Sequence, residues 1–291
     1  MRYGYMPGCS SHASSVDYEA STKAVAKALG IDLVEIEDWN CCGTAPISSV
    51  NPEMAVALSA RNLALAEEQG FDAVVTACAA CFNMLYKAWD NFANNPGMRK
   101  QLEEAMSDIG RTLKGKAEVR HLLDIIVNDY GLEKIEQLVT KKLTGLKVVP
   151  YYGCLLGRPK SNFEDAEEPN SMDGLLAMLG TEVLDSDFKA RCCGSSTIFT
   201  KRSYMLRLLH DILEDAQRLG GDMIVVACPL CQMNLDAYQT NVNSAYGTSF
   251  NIPVVYFTQL LGLALGLSPQ QLAMDKAFVS SQKVLNRVSN L

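Results

Sequence analysis

The sequence predicts an α/β protein made of two tandem, pseudo-symmetric domains, each with a mainly parallel sheet flanked by helices. Strand-like apolar runs alternate with helical stretches along the 291 residues, the order expected of repeated βα units. The ten cysteines fall into one pattern written twice: Cys9, Cys41-Cys42, Cys78 and Cys81, then Cys154, Cys192-Cys193, Cys228 and Cys231. The gaps repeat as well. There are 31 residues between Cys9 and Cys41 and 37 between Cys154 and Cys192, then 35 and 34 from each Cys-Cys pair to its CxxC. Each half reads C, CCG, CxxC, which divides the chain into 1–145 and 146–291, each a suitable size for one domain.

In chain order, Arg2 to Met6 reads as a short strand running into Gly8-Cys9, and a helix over about Ser15 to Leu29 stops at Gly30. Ile31 to Ile36 alternates as a strand does and leads to Trp39-Asn40-Cys41-Cys42-Gly43. Pro52 suits the first turn of the next helix, which Gly70 closes. Ala73 to Thr76 is a buried strand that ends just before Cys78, and Ala79 to about Asn91 is helical. A further strand and helix lie near Glu118 to Tyr130. The second half repeats this order. Lys147 to Tyr152 leads to Gly153-Cys154, and Thr181 to Leu184 precedes Cys192-Cys193-Gly194. A helix covers about Thr200 to Leu219, Met223 to Ala227 delivers Cys228, and a last strand and helix lie near Val254 to Leu265. Ser268 to Leu291 opens with a capping-box-like Ser268-Pro269-Gln270-Gln271 and reads as an amphipathic helix packed on its own domain.

Strands alternating with helices indicate Rossmann-like parallel sheets covered on both faces, and such sheets bind ligands beyond the carboxyl ends of their strands. All five cysteines of each half follow predicted strand ends, so three distant segments can converge on one site. Gly8 and Gly153 before the first ligands, and Gly43 and Gly194 after the Cys-Cys pairs, are expected to let backbone come close to a bound group.

Four chemistries compete for five thiols. Structural disulfides belong to oxidising compartments, whereas MRYGYMPGCSSH has neither the apolar core nor the small-residue cleavage site of a signal peptide. Structural zinc closes with four ligands in a tetrahedron and leaves the fifth thiolate without a place. A redox dithiol at Cys78-Ala79-Ala80-Cys81 or Cys228-Pro229-Leu230-Cys231 leaves three cysteines of its half unexplained. An iron–sulfur cluster takes thiolates through iron, and five of them point away from the ordinary cubane. A zinc-stabilised scaffold stays open at this point and would be colourless.

Composition narrows the function classes. The longest apolar stretch, Leu260 to Leu267, falls far short of the roughly 20 residues of a membrane-spanning helix, so no membrane insertion is expected. A net charge of −7 argues against nucleic acid, which asks for a basic stripe. Neither a glycine-rich dinucleotide fingerprint nor a ferredoxin CxxCxxCxxxCP run is present, so electrons must come from a partner.

The doubled C, CCG, CxxC pattern resembles the cysteine-rich CCG domain family, and two copies over nearly the whole chain are similar to the B subunits of heterodisulfide reductases of methanogenic archaea. The resemblance implies two non-cubane 4Fe-4S clusters. One would be held by Cys9, Cys41, Cys42, Cys78 and Cys81, the other by Cys154, Cys192, Cys193, Cys228 and Cys231. It implies a cytoplasmic oxidoreductase of methanogenesis that reduces the small-molecule heterodisulfide of coenzyme M and coenzyme B to two thiols at these clusters. Its implied partners are a ferredoxin-like iron–sulfur subunit, which delivers electrons, and a flavin-containing subunit of a larger complex. The alternative is an electron-transfer subunit of a respiratory or membrane-associated dehydrogenase, with no substrate site of its own.

Other polar residues carry weaker signals. His12 lies three residues after Cys9 and is a candidate proton donor to a departing thiolate, while His121 and His210 sit on apolar segments as ordinary core or surface histidines do. Arg158, Lys160, Lys201 and Arg202 flank the second cysteine set, whereas Ser10, Ser11, Thr44 and Ser48 flank the first. The four cations are candidates for the sulfonate, phosphate and carboxylate groups that the family's substrate carries.

Overall fold

The computed structural model describes residues 1–158 and 161–289. Two four-stranded sheets form, and every strand pairing among the described residues is parallel. The first contains β1 (Arg2–Tyr5), β2 (Asp32–Glu35), β3 (Ala73–Thr76) and β4 (Glu118–His121), in the order β2-β1-β3-β4. The second contains β5 (Lys147–Tyr151), β6 (Glu182–Val183), β7 (Met223–Val226) and β8 (Val254–Tyr256), in the matching order β6-β5-β7-β8. These are two Rossmann-like α/β halves with one topology. The shared order explains how each cysteine set assembles: the strands leading to the first cysteine and to the CxxC are central neighbours, and the strand leading to the Cys-Cys pair lies next to them. Central β7, with the sequence MIVV, is buried along its whole length, as a parallel strand covered on both faces must be.

The helices follow their local signals. Asn51 accepts a hydrogen bond from the Met54 backbone N–H at 2.9 Å and starts the helix Pro52–Glu68. The same Asn-Pro device, Asn95 accepting from Met98 at 3.1 Å, starts Pro96–Asp108, a helix that was not expected from the sequence.

The C-terminal segment differs from the expected single helix. Ser268 and Gln271 do form a reciprocal cap, with the Ser268 N–H donating to Gln271 Oε1 at 2.9 Å and the Gln271 N–H to Ser268 Oγ at 3.2 Å. They cap only a turn, because Ala273 adopts a left-handed backbone and the Asp236 carboxylate captures the N–H groups of Phe278 and Val279 at 2.7 and 2.9 Å. That capture removes the N–H groups a continuous helix would use, and the helix proper is Gln282–Ser289. It stays on its own half, with Arg287 paired to Asp222 at 2.5 Å.

The halves exchange helix contacts. Val16–Ala28 of the first packs on Phe257–Ala264 of the second, and Ser171–Met178 of the second packs on the region Leu122–Leu138 of the first. Ser21 and Thr258 hydroxyls share a hydrogen bond of 2.7 Å across this interface, and the Asn83 amide donates to the Arg158 carbonyl at 2.5 Å. The pairing turns the carboxyl ends of both sheets toward one junction.

Candidate metal centre

The strand ends bring each cysteine set together as the sequence spacing requires. In the first, the Cys9 and Cys41 sulfurs lie 3.8 Å apart, Cys42 neighbours Cys81, and Cys81 neighbours Cys78. In the second, Cys154 neighbours Cys192, Cys193 neighbours Cys231, and Cys231 neighbours Cys228. The sets also meet each other, because Cys78 and Cys228, the first cysteines of the two CxxC segments, are neighbours across the junction. Cys42, Cys78, Cys81, Cys193, Cys228 and Cys231 are buried, Cys41, Cys154 and Cys192 are half-buried, and Cys9 is exposed.

The backbone around the thiols is built to matched rules. Gly8 has φ +83° and a Cβ there would stand 3.1 Å from the Cys81 sulfur; Gly153 has φ +68° and its Cβ would stand 2.9 Å from the Cys231 sulfur. Each glycine therefore leaves room for the last thiol of its set. Gly43 and Gly194 do something else: a Cβ would run into the backbone of Ala55 at 3.0 Å or of Met205 at 3.1 Å, so they admit the following helix rather than the bound group. The Cys42 carbonyl is held by the buried Ser59 hydroxyl at 2.9 Å, and the Cys193 carbonyl by the buried Asn234 amide at 3.0 Å.

Electrostatics divide the thiols. Cys41 is driven down to about 2 because the Cys42 and Cys9 thiols, and then the Gly43 N–H, donate to it. Cys192 is lowered to about 6, chiefly by Cys154 and also by the Gly194 N–H, which lies 3.3 Å from its sulfur. Contact with Cys41 pushes Cys42 up to about 12, burial adding to the rise. Cys9 and Cys154 are pushed well above the ordinary thiol range, first by their partners Cys41 and Cys192 and then by burial. The first cysteine of each Cys-Cys pair is thus held toward thiolate, as is Cys228, which Cys231 and then Cys78 lower well below the ordinary thiol range, and thiolate is the form that binds metal.

The donor set fits an iron–sulfur cluster. Five thiols with matched glycine clearances converge in each half. Among the described residues, no group of three His, Cys, Asp or Glu is placed to hold a single metal ion. A cavity of about 300 Å³ opens on the second set, lined by its five cysteines and also by Thr44, Ser48 and Ser49 from the first half. Ser195 and Ser196 add further hydroxyls, and none of its described lining residues is Lys or Arg.

The remaining candidates are scattered. His12 is exposed, with Nε2 3.7 Å from Glu35 and its ring 5.7 Å from that of Trp39. Arg158 pairs with Glu167 at 2.6 Å and donates to the Ala166 carbonyl at 3.0 Å. Lys201 is exposed at a helix start, and the Arg202 guanidinium lies 5.8 Å from the Tyr238 ring centre. Lys160 lies outside the described residues. His121 is a satisfied core histidine: its Nδ1 accepts from the Leu123 N–H at 3.2 Å, its Nε2 lies 3.0 Å from the Ala77 carbonyl, and burial lowers its pKa to about 4. The hydroxyl lining and the anchors Ser59 and Asn234 were not anticipated, except for Thr44 and Ser48 as flanking residues. They meet the cysteines through tertiary contacts that local sequence does not encode.

Comparison with known proteins gives a consistent set. The CCG cysteine-rich domain matches residues 3–86 and 148–236. The chain is 31% identical over 284 residues to the 8-methylmenaquinol:fumarate reductase membrane anchor subunit of Wolinella succinogenes, covering 97% of this chain and 98% of that one. It is 33% identical over 275 residues to the B subunit of the ferredoxin/F420H2-dependent CoB-CoM heterodisulfide reductase of Methanosarcina acetivorans, covering 93% and 91%. A protein of Archaeoglobus profundus, named for its likeness to the B subunit of heterodisulfide reductase, is 31% identical over 282 residues, covering 94% and 93%. Among solved structures, a hypothetical protein from Helicobacter pylori matches with a TM-score of 0.76 at 14% identity, over 96% of this chain and 52% of that one, a likeness of fold alone. Among the described residues, no helix is long and apolar enough to cross a membrane.

Proposed function

The chain belongs to the cysteine-rich CCG domain family, and from that membership we propose that it is the catalytic subunit of a heterodisulfide reductase, reducing the coenzyme M/coenzyme B disulfide to two thiols. The observation that carries the reading is the meeting of both cysteine sets at Cys78 and Cys228, beside a cavity lined from both halves. A disulfide consumes two electrons, and two non-cubane 4Fe-4S clusters, one per set, would supply one each when bound. The residues around them have separable tasks. The buried cysteines and their carbonyl anchors fix the thiolates, while Thr44, Ser48, Ser49, Ser195 and Ser196 offer hydroxyls to the uncharged middle of a disulfide substrate. Since no cation lines the described cavity, the anionic ends would reach outward to Arg158, Lys160, Lys201 or Arg202. His12 is the proton donor in this reading. Electrons arrive from a ferredoxin-like subunit within a complex that also carries flavin.

A second reading, an electron relay without a substrate of its own, is favoured by the match to the Wolinella subunit over 98% of that protein's length. Substitution of each Cys-Cys pair separates the two. We expect Cys42→Ser and Cys193→Ser each to perturb one cluster while keeping the fold and the other cluster, and heterodisulfide reduction to collapse in both. Under the relay reading, loss of the distal centre leaves transfer from the proximal one to an artificial dye intact. Near-normal disulfide reduction despite a lost cluster would defeat the facing-cluster mechanism.

A further inference from the structure

A buried phenol also lies at the junction between the sets. Tyr18 lies on the first half's helix Val16–Ala28, yet its ring stacks on Tyr256 of the second half, with centres 3.9 Å apart and planes 4° from parallel. Tyr256 is the last residue of β8 and pairs in register with Val226, which β7 places just before Ala227-Cys228. The stack therefore fixes the phenol beside the point where Cys228 and Cys78 are neighbours. Tyr18 is 2% exposed, and among the described residues its hydroxyl has no hydrogen-bond partner. Polar groups this deeply buried are nearly always paired. In the same interface the Ser21 and Thr258 hydroxyls pair with each other at 2.7 Å. Phenylalanine would stack equally well, so the hydroxyl serves something other than packing. Cys228 and Cys78 are the cysteines nearest to this phenol in its electrostatic surroundings.

We infer that the Tyr18 hydroxyl donates a hydrogen bond to a cluster sulfide at the junction of the two cysteine sets. It acts as a positioning residue that favours the reduced state of the centres it touches. The inference rests on the iron–sulfur reading given above. Hydrogen bonds to sulfur raise a cluster's reduction potential because the reduced form carries more negative charge. Removing this one should shift the one-electron equilibrium roughly tenfold against reduction, about 59 mV for a single-electron couple.

The test uses anaerobic holoprotein with Tyr18→Phe, which keeps the ring stack, and Ser21→Ala, which weakens the same interface without facing sulfur. Iron and sulfide are counted, and the clusters are titrated by electron paramagnetic resonance. Electron–nuclear double resonance after assembly in deuterated water then looks for an exchangeable proton coupled to a cluster. The expected result is wild-type iron in both variants, a lowered potential only in Tyr18→Phe, and a coupled proton that this variant loses. An unmoved potential with the proton signal intact would overturn the inference, and so would an equal shift in Ser21→Ala. Wild-type protein with little iron would remove the cluster reading itself and this inference with it, an outcome distinguishable from the other two.

Discussion

Replacing Gly153 by alanine should empty one cluster site while leaving the other loaded, and a matched control isolates the cause. Gly153 and Gly30 share nearly the same backbone, φ +68° and +66°, so an added Cβ strains both alike, by roughly 1–2 kcal/mol. They differ in what the Cβ meets. At Gly30 nothing lies within 4 Å, whereas at Gly153 the Cys231 sulfur is 2.9 Å away. Contact distances for such atoms begin near 3.4 Å, so the sulfur must retreat by about 0.5 Å. Metal–ligand distances tolerate only about 0.2 Å, so the displaced thiolate cannot keep its place. Iron and sulfide content after anaerobic reconstitution should therefore fall to about half in Gly153→Ala and stay whole in Gly30→Ala. Gly8→Ala, with its sulfur at 3.1 Å, should impair the first set more mildly. Denaturant titration of cluster-free protein should give the two αL variants similar losses of stability. Equal iron in Gly153→Ala and Gly30→Ala would refute the claim that these glycines exist to clear the thiols.

Two more expectations follow from the anchors and from a buried acid. Asn234→Ala and Ser59→Ala leave the Cys193 or Cys42 carbonyl buried without its donor. Each should lower the unfolding free energy of the cluster-free protein by about 1–3 kcal/mol, and unchanged denaturation midpoints would show that the anchors are dispensable. Glu164 is buried, and burial raises its carboxyl from the usual 4.5 to about 7. A carboxyl whose folded pKa is raised contributes stability that is full below about 4.5 and is lost as pH climbs through about 7. Wild type should thus lose up to about 3 kcal/mol over that window relative to Glu164→Gln, and parallel pH–stability curves for the two proteins would contradict this.

Much of this site was legible before the fold was known, because the ten cysteines mark the carboxyl ends of strands whose β-branched runs announce themselves. Central β7 is an example: four apolar residues in a row are unambiguous when a turn and a cysteine follow. The helix at Pro96 went unseen although Asn95-Pro96 repeats the Asn51-Pro52 signal, since Pro96–Asp108 is polar and shows little apolar periodicity. The C-terminal segment misled because its local cap is real, and what stops the helix is Asp236, far away in sequence. Tyr18 was illegible for the same reason. Its importance comes from Tyr256 and from Cys78 and Cys228, partners that only the packing of one half on the other supplies. Of the cations beside the second set, Arg158, Lys201 and Arg202 are close in sequence but do not line the cavity in space: Arg158 finds Glu167 and Arg202 faces Tyr238.

The exchange of helices between the halves has an evolutionary reading. Reciprocal contacts, the helix after the first strand of one half on the helical segment after the last strand of the other and the converse, are the geometry of an isologous homodimer, with one chain in place of two. A true homodimer must place the same residue on both sides of its axis. The fused chain is released from that constraint, and the junction records it. His121 and Tyr256 occupy the same station, the last residue of the edge strand beside each CxxC strand, paired with Thr76 and Val226 respectively. One is an imidazole spent on the backbone and the other a phenol that seats Tyr18. A single chain with two matching halves is thus a near-symmetric cradle whose two sides can differ, giving two similar cysteine sets unequal surroundings.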